Sequence, residues 1–408
     1  MTIDFTFPPE VEEARQRMRA FVDEDIRPTE ERLLSDAAGR ADWRAELDRL
    51  RSRAKELELW MPHMPRDWGG AGHGPTALAA VSAEAAKTRF GSYVVNCYAP
   101  DEGNMHTLLH FGTDDQKSRY LKPMCEGTMR SCFAMTEPEV AGSDPTLMKT
   151  RARLEGDEWV VNGHKWFISG ARGAQFAILL ARTEDDPPVP QAATSAFIVD
   201  VPTTGWELVR DVETMSGSHN HCEIRITDLR VPAGQLLGER GQGHRLGQAR
   251  LGPARLAHCM RWLGQVEMAL DMMVDRSLSR YSHGSYLSEK QGIQWLISES
   301  AIELYQAKLM VLHAAYLIER GLPFTTEVSM AKHHVANTLW RVIDRAVQVH
   351  GALGYSKDSP LADMLMQARW SRFADGADEI HKWRVAEAVI SAYREHGTTT
   401  SATGGLPL

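Results

Sequence analysis

The chain has 408 residues, 43% of them hydrophobic and 25% charged, which is too long for one small core and suits two or three packed regions of a globular protein. Its 46 Lys and Arg against 54 Asp and Glu give a net charge of −8. Both signs are mixed along the sequence, which argues against a nucleic-acid groove and against a polybasic membrane patch. Up to about residue 130 the apolar residues recur at helical spacing. Pro8 and Pro9 precede a run over 11–22, and a second run covers 43–59. Gly69, Gly70, Gly72 and Gly74 predict a loop over 64–74.

From about residue 149 to 231 the pattern becomes strand-like, with short runs at 152–154, 159–161, 165–169, 176–181, 195–201 and 223–226. Asn162-Gly163 between two of them predicts a hairpin turn. Helical periodicity returns from about 245, over 255–280, 327–350 and 378–394. A fourth run carries Ile293, Leu296, Ile297, Ala301, Leu304, Val311, Ala315 and Ile318 along one face. Four such helices form a bundle. The expected architecture is α+β and multi-domain: an N-terminal helical domain over 1–130, a middle β-barrel or sandwich over 131–243, a C-terminal four-helix bundle over 244–396, and a flexible tail over 397–408.

Five cysteines (Cys97, Cys125, Cys132, Cys222, Cys259) lie scattered without a Cys-x-x-Cys pair, so reduced thiols are expected rather than a disulfide framework. The N-terminus carries acids early and lacks a signal-peptide core, and no run reaches the ~18 uninterrupted apolar residues of a membrane span. A cytoplasmic protein without membrane insertion follows. His219-Asn220-His221 and His333-His334 lack a third ligand at metal spacing, so no metal is expected.

Several segments bear chemistry in a fixed order. They are Phe133-Ala134-Met135-Thr136-Glu137-Pro138 with Gly142-Ser143-Asp144, then Trp166-Phe167-Ile168-Ser169-Gly170-Ala171, Arg280-Tyr281-Ser282-His283-Gly284 with Gln291, Gln348-Val349-His350-Gly351-Ala352, and Asp375-Gly376. Singly, each has a plainer reading: an aromatic pair in a strand core, an Asp-Gly turn, a solvent-facing or ion-paired arginine. Together they resemble the flavin-dependent acyl-CoA dehydrogenase family over nearly the whole chain. The nearest subgroup has Asp at the catalytic-base position and includes the dehydrogenase modules fused to kinase-like domains in animals.

The resemblance implies FAD as cofactor, an acyl-CoA substrate, and α,β-dehydrogenation of a saturated thioester to the trans-2-enoyl-CoA, as in β-oxidation. It implies that Phe133, Met135, Thr136, Gly142 and Ser143 lie against the flavin, with Ser143 also meeting the thioester. Phe167 takes the place of the family's usual tryptophan over the flavin, with Trp166 beside it, and Ser169 that of the hydroxyl near the hydride-accepting nitrogen. Arg280, Gln291, Gln348 and Gly351 would reach the FAD of a neighbouring subunit, which requires a homo-oligomer, a dimer or a family-like tetramer. His283 departs from the family's Phe. Asp375 would be the base, since Ala254 closes the alternative position before Arg255; Arg255 and Gly376 would meet the substrate. An electron-transferring flavoprotein would accept the electrons. The rival activities on this fold are a flavin monooxygenase or oxidase and a non-redox thioester enzyme.

Overall fold

A computed structural model describes residues 6–35, 43–217, 220–399 and 402. The chain divides into two compact units. The first holds residues 1–66, 70–97 and 255–408; the second holds 67–69 and 98–254.

The first unit is helical. It begins with α1 (Pro9–Phe21), α2 (Arg27–Ser35), α3 (Trp43–Glu56), α4 (Pro75–Ala85) and the short α5 (Gly91–Val94). Pro9 occupies the first position of α1, where the missing N–H is not needed, and Glu10 and Glu12 suit the positive end of the helix. The 64–74 loop exists for a steric reason: a Cβ on Gly70 would lie 2.1 Å from the Met64 carbonyl oxygen.

The second unit opens with α6 (Asp101–Phe111), α7 (Asp114–Gln116) and α8 (Lys122–Glu126), followed by eight strands of one sheet. These are β1 (Ser131–Ala134), β2 (Arg151–Glu155), β3 (Glu158–Ser169), β4 (Phe176–Arg182), β5 (Thr194–Asp200), β6 (Trp206–Asp211), β7 (His221–Pro232) and β8 (Leu236–Leu237). The order is β6-β7-β3-β2-β4-β5-β8, with β1 pairing parallel to β4. The inner face packs Trp159, Val161, Phe197, Ile224, Leu229 and Val231.

The hairpin expected at Asn162-Gly163 lies elsewhere. β3 runs straight through those residues, with a register shift there against β7, and the turn between β2 and β3 sits at Gly156, whose φ is +67°. Gly163 is needed because a Cβ would lie 2.3 Å from the Thr150 hydroxyl oxygen, and Asn162 is taken up by Asp228 across the sheet. β1 and β6 were not among the strand-like runs.

α9 (Gly243–Ser279) carries the chain from the second unit back into the first and begins before the 255 expected from periodicity, with Pro253 inside it. A ribbon of β9 (Tyr281–Ser282) and β10 (Ser285–Tyr286) follows, then α10 (Gln291–Glu319), α11 (Thr325–His350), α12 (Ala352–Tyr355), α13 (Leu361–Trp370) and α14 (Asp378–His396). The expected four helices are present, and α13 joins them as a further helix. Their core is Val266 and Met273 of α9, Val311 and Ala315 of α10, Leu339, Val342 and Ile343 of α11, and Leu361 of α13. Each buried aliphatic of this kind contributes roughly 1.5–3 kcal/mol. All five cysteines are buried thiols outside any disulfide.

Candidate active site

In the sheet unit the expected cofactor segment is fastened to the β3 strip by reciprocal bonds. The Trp166 amide donates to the Thr136 carbonyl (3.1 Å), and the Thr136 hydroxyl donates to the Trp166 carbonyl (2.7 Å). Behind this clamp lies a buried ion pair. Lys165 Nζ donates to Glu137 Oε1 and to the Met135 carbonyl, both at 2.9 Å, while the amides of Lys149 and Thr150 donate to the same carboxylate at 2.6 and 2.8 Å. Burial would raise the Glu137 pKa, but the Lys165 ammonium and these donors hold it below the ordinary carboxylate value. Burial pushes Lys165 down to about 8 against the pull of Glu137. Every oxygen of Glu137 is therefore used in shaping the loop.

Phe133 is fixed by a second network. The Arg250 guanidinium lies 4.1 Å from the centre of its ring and donates to Asn104 (2.9 Å), which donates to the Ser131 hydroxyl (2.9 Å). Ser131 in turn gives its amide and hydroxyl to Asp101.

A narrow cleft is lined by Met135, Thr136, Val140, Gly142 and Asp144. Gly142 is small for cause, since a Cβ there would lie 3.2 Å from Thr136 Cγ2. Ser143 is exposed beside it. On β3, Phe167 adopts a φ of +52°, a strained conformation for a bulky residue, and leaves its ring 44% exposed. Trp166 meets that ring edge-on at 4.9 Å, so Phe167 is the more exposed aromatic of the two. Ser169 Oγ pairs with His221 Nδ1 at 2.9 Å, and burial lowers the His221 pKa, keeping the ring neutral at pH 7. His219, weighed with His221 as a metal ligand, lies outside the described residues. An exposed flat ring, the Ser169 hydroxyl paired with His221 beside it and a cleft lined by Gly142 at Thr136 fit a planar heteroaromatic group with a hydrogen-bonding edge.

In the helical unit Asp375 stands at the turn before α14 with a φ of +52°, and Gly376 follows at +114°. Lys332 of α11 ties both ends of this turn, donating at 2.7 Å to the carbonyls of Ser371 and Gly376. Lys332 is fully buried, and burial pushes it down to about 8. Arg255 is also buried and gives its Nε to the Asp375 carbonyl at 2.7 Å. The Asp375 carboxylate, a quarter exposed, reaches His258 Nε2 at 3.1 Å. Behind Gly376 lies His381, 1% exposed, with neither ring nitrogen hydrogen-bonded. Burial, with Lys332, Arg255 and Arg384 nearby, lowers its pKa to about 3, so it is uncharged.

Asp378, the neighbouring carboxylate, is consumed in structure: Arg372 Nε and Asn337 Nδ2 donate to it at 2.8 and 3.1 Å, and His333 lies 3.3 Å away. Glu379 is exposed in the first turn of α14.

Arg255, Asp375 and Gly376 are thus brought together. Arg280, Gln291, Gln348 and Gly351 are all exposed, and among the described residues none bonds to the Asp375 turn. Arg280 and Gln291 flank the β9–β10 ribbon; Gln348 lies in the last turn of α11, and Gly351 ends that helix at φ +64° and ψ −139°, a region essentially restricted to glycine. Sequence reasoning missed His258 and Lys332 as site residues. A signal for Lys332 existed, because it falls on the apolar stripe Val328, Val335, Leu339, Val342 of α11. His258 and Arg255 share one face of α9 with Trp262, at positions three and four apart.

Three family models match in chain order: the acyl-CoA dehydrogenase N-terminal domain over 8–128, the middle domain over 132–229 and the C-terminal domain over 241–390. Mycobacterium tuberculosis FadE2, assigned as an acyl-CoA dehydrogenase, is 37% identical over 410 residues, covering 98% of this chain and 100% of its own. Mouse acyl-CoA dehydrogenase family member 10 is 36% identical over 392 residues, 93% of this chain but 37% of its own. The chain spans about half the length or less of the animal relatives it matches. Among solved structures, butyryl-CoA dehydrogenase from Megasphaera elsdenii superposes with a TM-score of 0.82 at 25% identity, covering 95% of this chain and 100% of that one. The chain belongs to the acyl-CoA dehydrogenase family, an oxidoreductase fold with FAD as its cofactor.

Proposed function

We propose that the protein dehydrogenates a saturated acyl-CoA to the trans-2-enoyl-CoA, with Asp375 as the base. The observation that carries this reading is the Asp375 turn. Its carboxylate is part-exposed while the backbone on either side is tied down by Arg255 and by the buried Lys332. A carboxylate on a turn fixed in this way is held in one place, which suits a general base. Asp378 is a poor rival, because Arg372, Asn337 and His333 already occupy it.

Bound FAD supplies the acceptor for the β hydrogen as hydride. Phe133, Met135, Thr136, Gly142, Ser143, Phe167 and Ser169 would hold it, Phe167 by its exposed ring and Ser169 by its hydroxyl. Asp375 removes the α proton, and the backbone around Gly376, with Ser143 and Arg255, orients the thioester. Carbonyl polarisation by a backbone donor makes the α carbon acidic enough for a carboxylate to deprotonate.

Arg280, Gln291, Gln348 and Gly351 would complete the FAD site of a second copy, making the enzyme a homo-oligomer. The support is a row of exposed apolar residues on α10: Trp295, Ile302 and Tyr305 are 59, 59 and 64% exposed. An electron-transferring flavoprotein is the proposed acceptor of the electrons, and a cytoplasmic setting is proposed. No described helix is long and apolar enough to cross a membrane. The test is anaerobic titration of the yellow protein with saturated acyl-CoAs of graded length. Bleaching of the flavin absorbance by one chain class supports the reading and names the substrate; no bleaching by any thioester overturns it.

A further inference from the structure

We infer that His221 is a positioning residue, turning the Ser169 hydroxyl so that its oxygen rather than its hydrogen faces bound flavin, which favours the reduced cofactor. The inference rests on the reading that Ser169 meets FAD at the hydride-accepting nitrogen. Ser169 and His221 are direct cross-strand partners of β3 and β7. Between Lys165 and Ile168 the β3 register shifts, and this irregularity puts Phe167 on the exposed side at a φ of +52° while Ile168 returns to the core. The exposed Phe167 ring lies 6.1 Å from the His221 ring, and His221 Nδ1 lies 2.9 Å from Ser169 Oγ. A flat ring, an imidazole and a hydroxyl therefore stand side by side.

The imidazole decides which way the hydroxyl points. Burial lowers the His221 pKa, so the ring is neutral and carries its one hydrogen on one of two nitrogens. Nδ1 meets a hydroxyl, which can donate, and not a carbonyl or carboxylate, which would demand a hydrogen from it. The hydrogen then stays on Nε2, the nitrogen that preferentially bears it in a free histidine side chain, and Nδ1 accepts from Ser169. A hydroxyl has a single hydrogen. With that hydrogen committed to Nδ1, Ser169 Oγ can only accept from a ligand. Oxidised flavin presents a lone pair at the hydride-accepting nitrogen, and reduced flavin presents an N–H. An accepting oxygen pairs with the reduced form alone.

The charged groups on the neighbouring strands do not set this pair. Glu223, next on the same face of β7, is held by His164 of β3 at 2.9 Å and by Arg210 of β6 at 2.7 Å. Arg172, after β3, donates to Asp211 of β6 at 2.9 Å. Burial is the one cause of the His221 shift.

The test is dye-linked reduction of the FAD-loaded protein by dithionite. It reads the ratio of reduced to oxidised flavin at a fixed potential in wild type, His221→Phe, Ser169→Ala and the double variant. H221F lets the hydroxyl turn its hydrogen to the flavin and should lower the ratio about twofold to tenfold, the range of one neutral hydrogen bond. In the S169A background the same substitution should change nothing, because no hydroxyl is left to orient. An effect of H221F that is equal with and without Ser169 marks a structural role and overturns the inference. A changed ratio in S169A with an unchanged one in H221F also overturns it, alone, whereas an unchanged ratio in S169A fails the placement of Ser169 at the flavin. Because dithionite is the reductant, failure of every acyl-CoA to bleach the flavin sinks dehydrogenation without touching this result. If H221F does not retain FAD, the 15N imidazole signal that His221→Gln removes decides, read in the wild-type protein with and without FAD. The Nε2–H tautomer supports the inference, and the Nδ1–H tautomer overturns it.

Discussion

Lys165 in the sheet unit and Lys332 in the helical unit are both fully buried, and burial pushes both to about 8, yet they are kept differently. Lys165 has a carboxylate, and Glu137 spends its remaining capacity on two amides. Lys332 is held by two carbonyl oxygens, and His381 nearby has neither nitrogen bonded. The first arrangement is a closed polar core, suited to holding a loop in one shape. The second leaves both ring nitrogens of His381 without a hydrogen bond next to Gly376. Under the proposed function, the cradle is finished in advance and the reacting end awaits its ligand.

The comparison breaks most visibly at Asp375. An Asp375→Asn enzyme should keep its FAD and lose about a hundredfold to ten-thousandfold in the rate of anaerobic flavin reduction, the usual reach of a positioned base. Next comes Lys165→Met, which leaves Glu137 buried without its partner and should cost about 3–5 kcal/mol in denaturant unfolding. Adding Glu137→Leu should recover part of that loss. Full stability in the single variant would show that the ion pair is not what closes the sheet unit's core.

His381 sharpens the contrast through pH. Folded His381 has a pKa of about 3 against an ordinary 6.5, so the unfolded chain takes up the proton first as pH falls. Its contribution to stability is thus intact near pH 7 and is lost progressively between about 6.5 and 3. Unfolding at pH 4.5 should recover about 2–3 kcal/mol in His381→Gln relative to wild type, once each is referred to its own value at pH 7. Lys332→Met removes two bonds to carbonyls without stranding a carboxylate, so its cost should be smaller than that of Lys165→Met, about 1–3 kcal/mol. The least effect belongs to His164, part-exposed between Glu139 and Glu223 at 2.7 and 2.9 Å. Burial opposes its charge, but the two carboxylates prevail and raise its pKa. Its contribution is therefore present below about 6.5 and fades as pH rises through the elevated value. His164→Asn should destabilise by under ~1 kcal/mol, and only on the acid side.

Helical periodicity was legible because burial on one face leaves a mark every three to four residues, so α10, α11 and α14 could be read to within a turn. The 162–163 turn was misread because Asn-Gly also serves where a glycine must approach another backbone, as Gly163 does at Thr150. β1 and β6 are short, and half of β6 is exposed, so neither carries a strong apolar alternation. Of the site, the ordered motifs pointed to Thr136, Ser169 and Asp375. The pairing of His258 with Asp375 could not be read, because it depends on how α9 packs against the turn before α14. The Glu137–Lys165 pair was open to inference, since a lysine in alternation with Trp159 and Val161 on β3 cannot stay charged in a sheet core without an acid opposite.

The five buried thiols have a use of their own. Burial pushes Cys222 up to about 11 and Cys125 and Cys259 up to about 12, and raises Cys132 further, so thiolate is scarce in the folded protein. An alkylating reagent then marks a cysteine only when its surroundings open, which turns each thiol into a clock. Cys132 and Cys222 keep time for the sheet unit, and Cys259 keeps it for the helical unit. The order in which they are labelled by mass spectrometry reports which unit opens first, with no probe added to the chain.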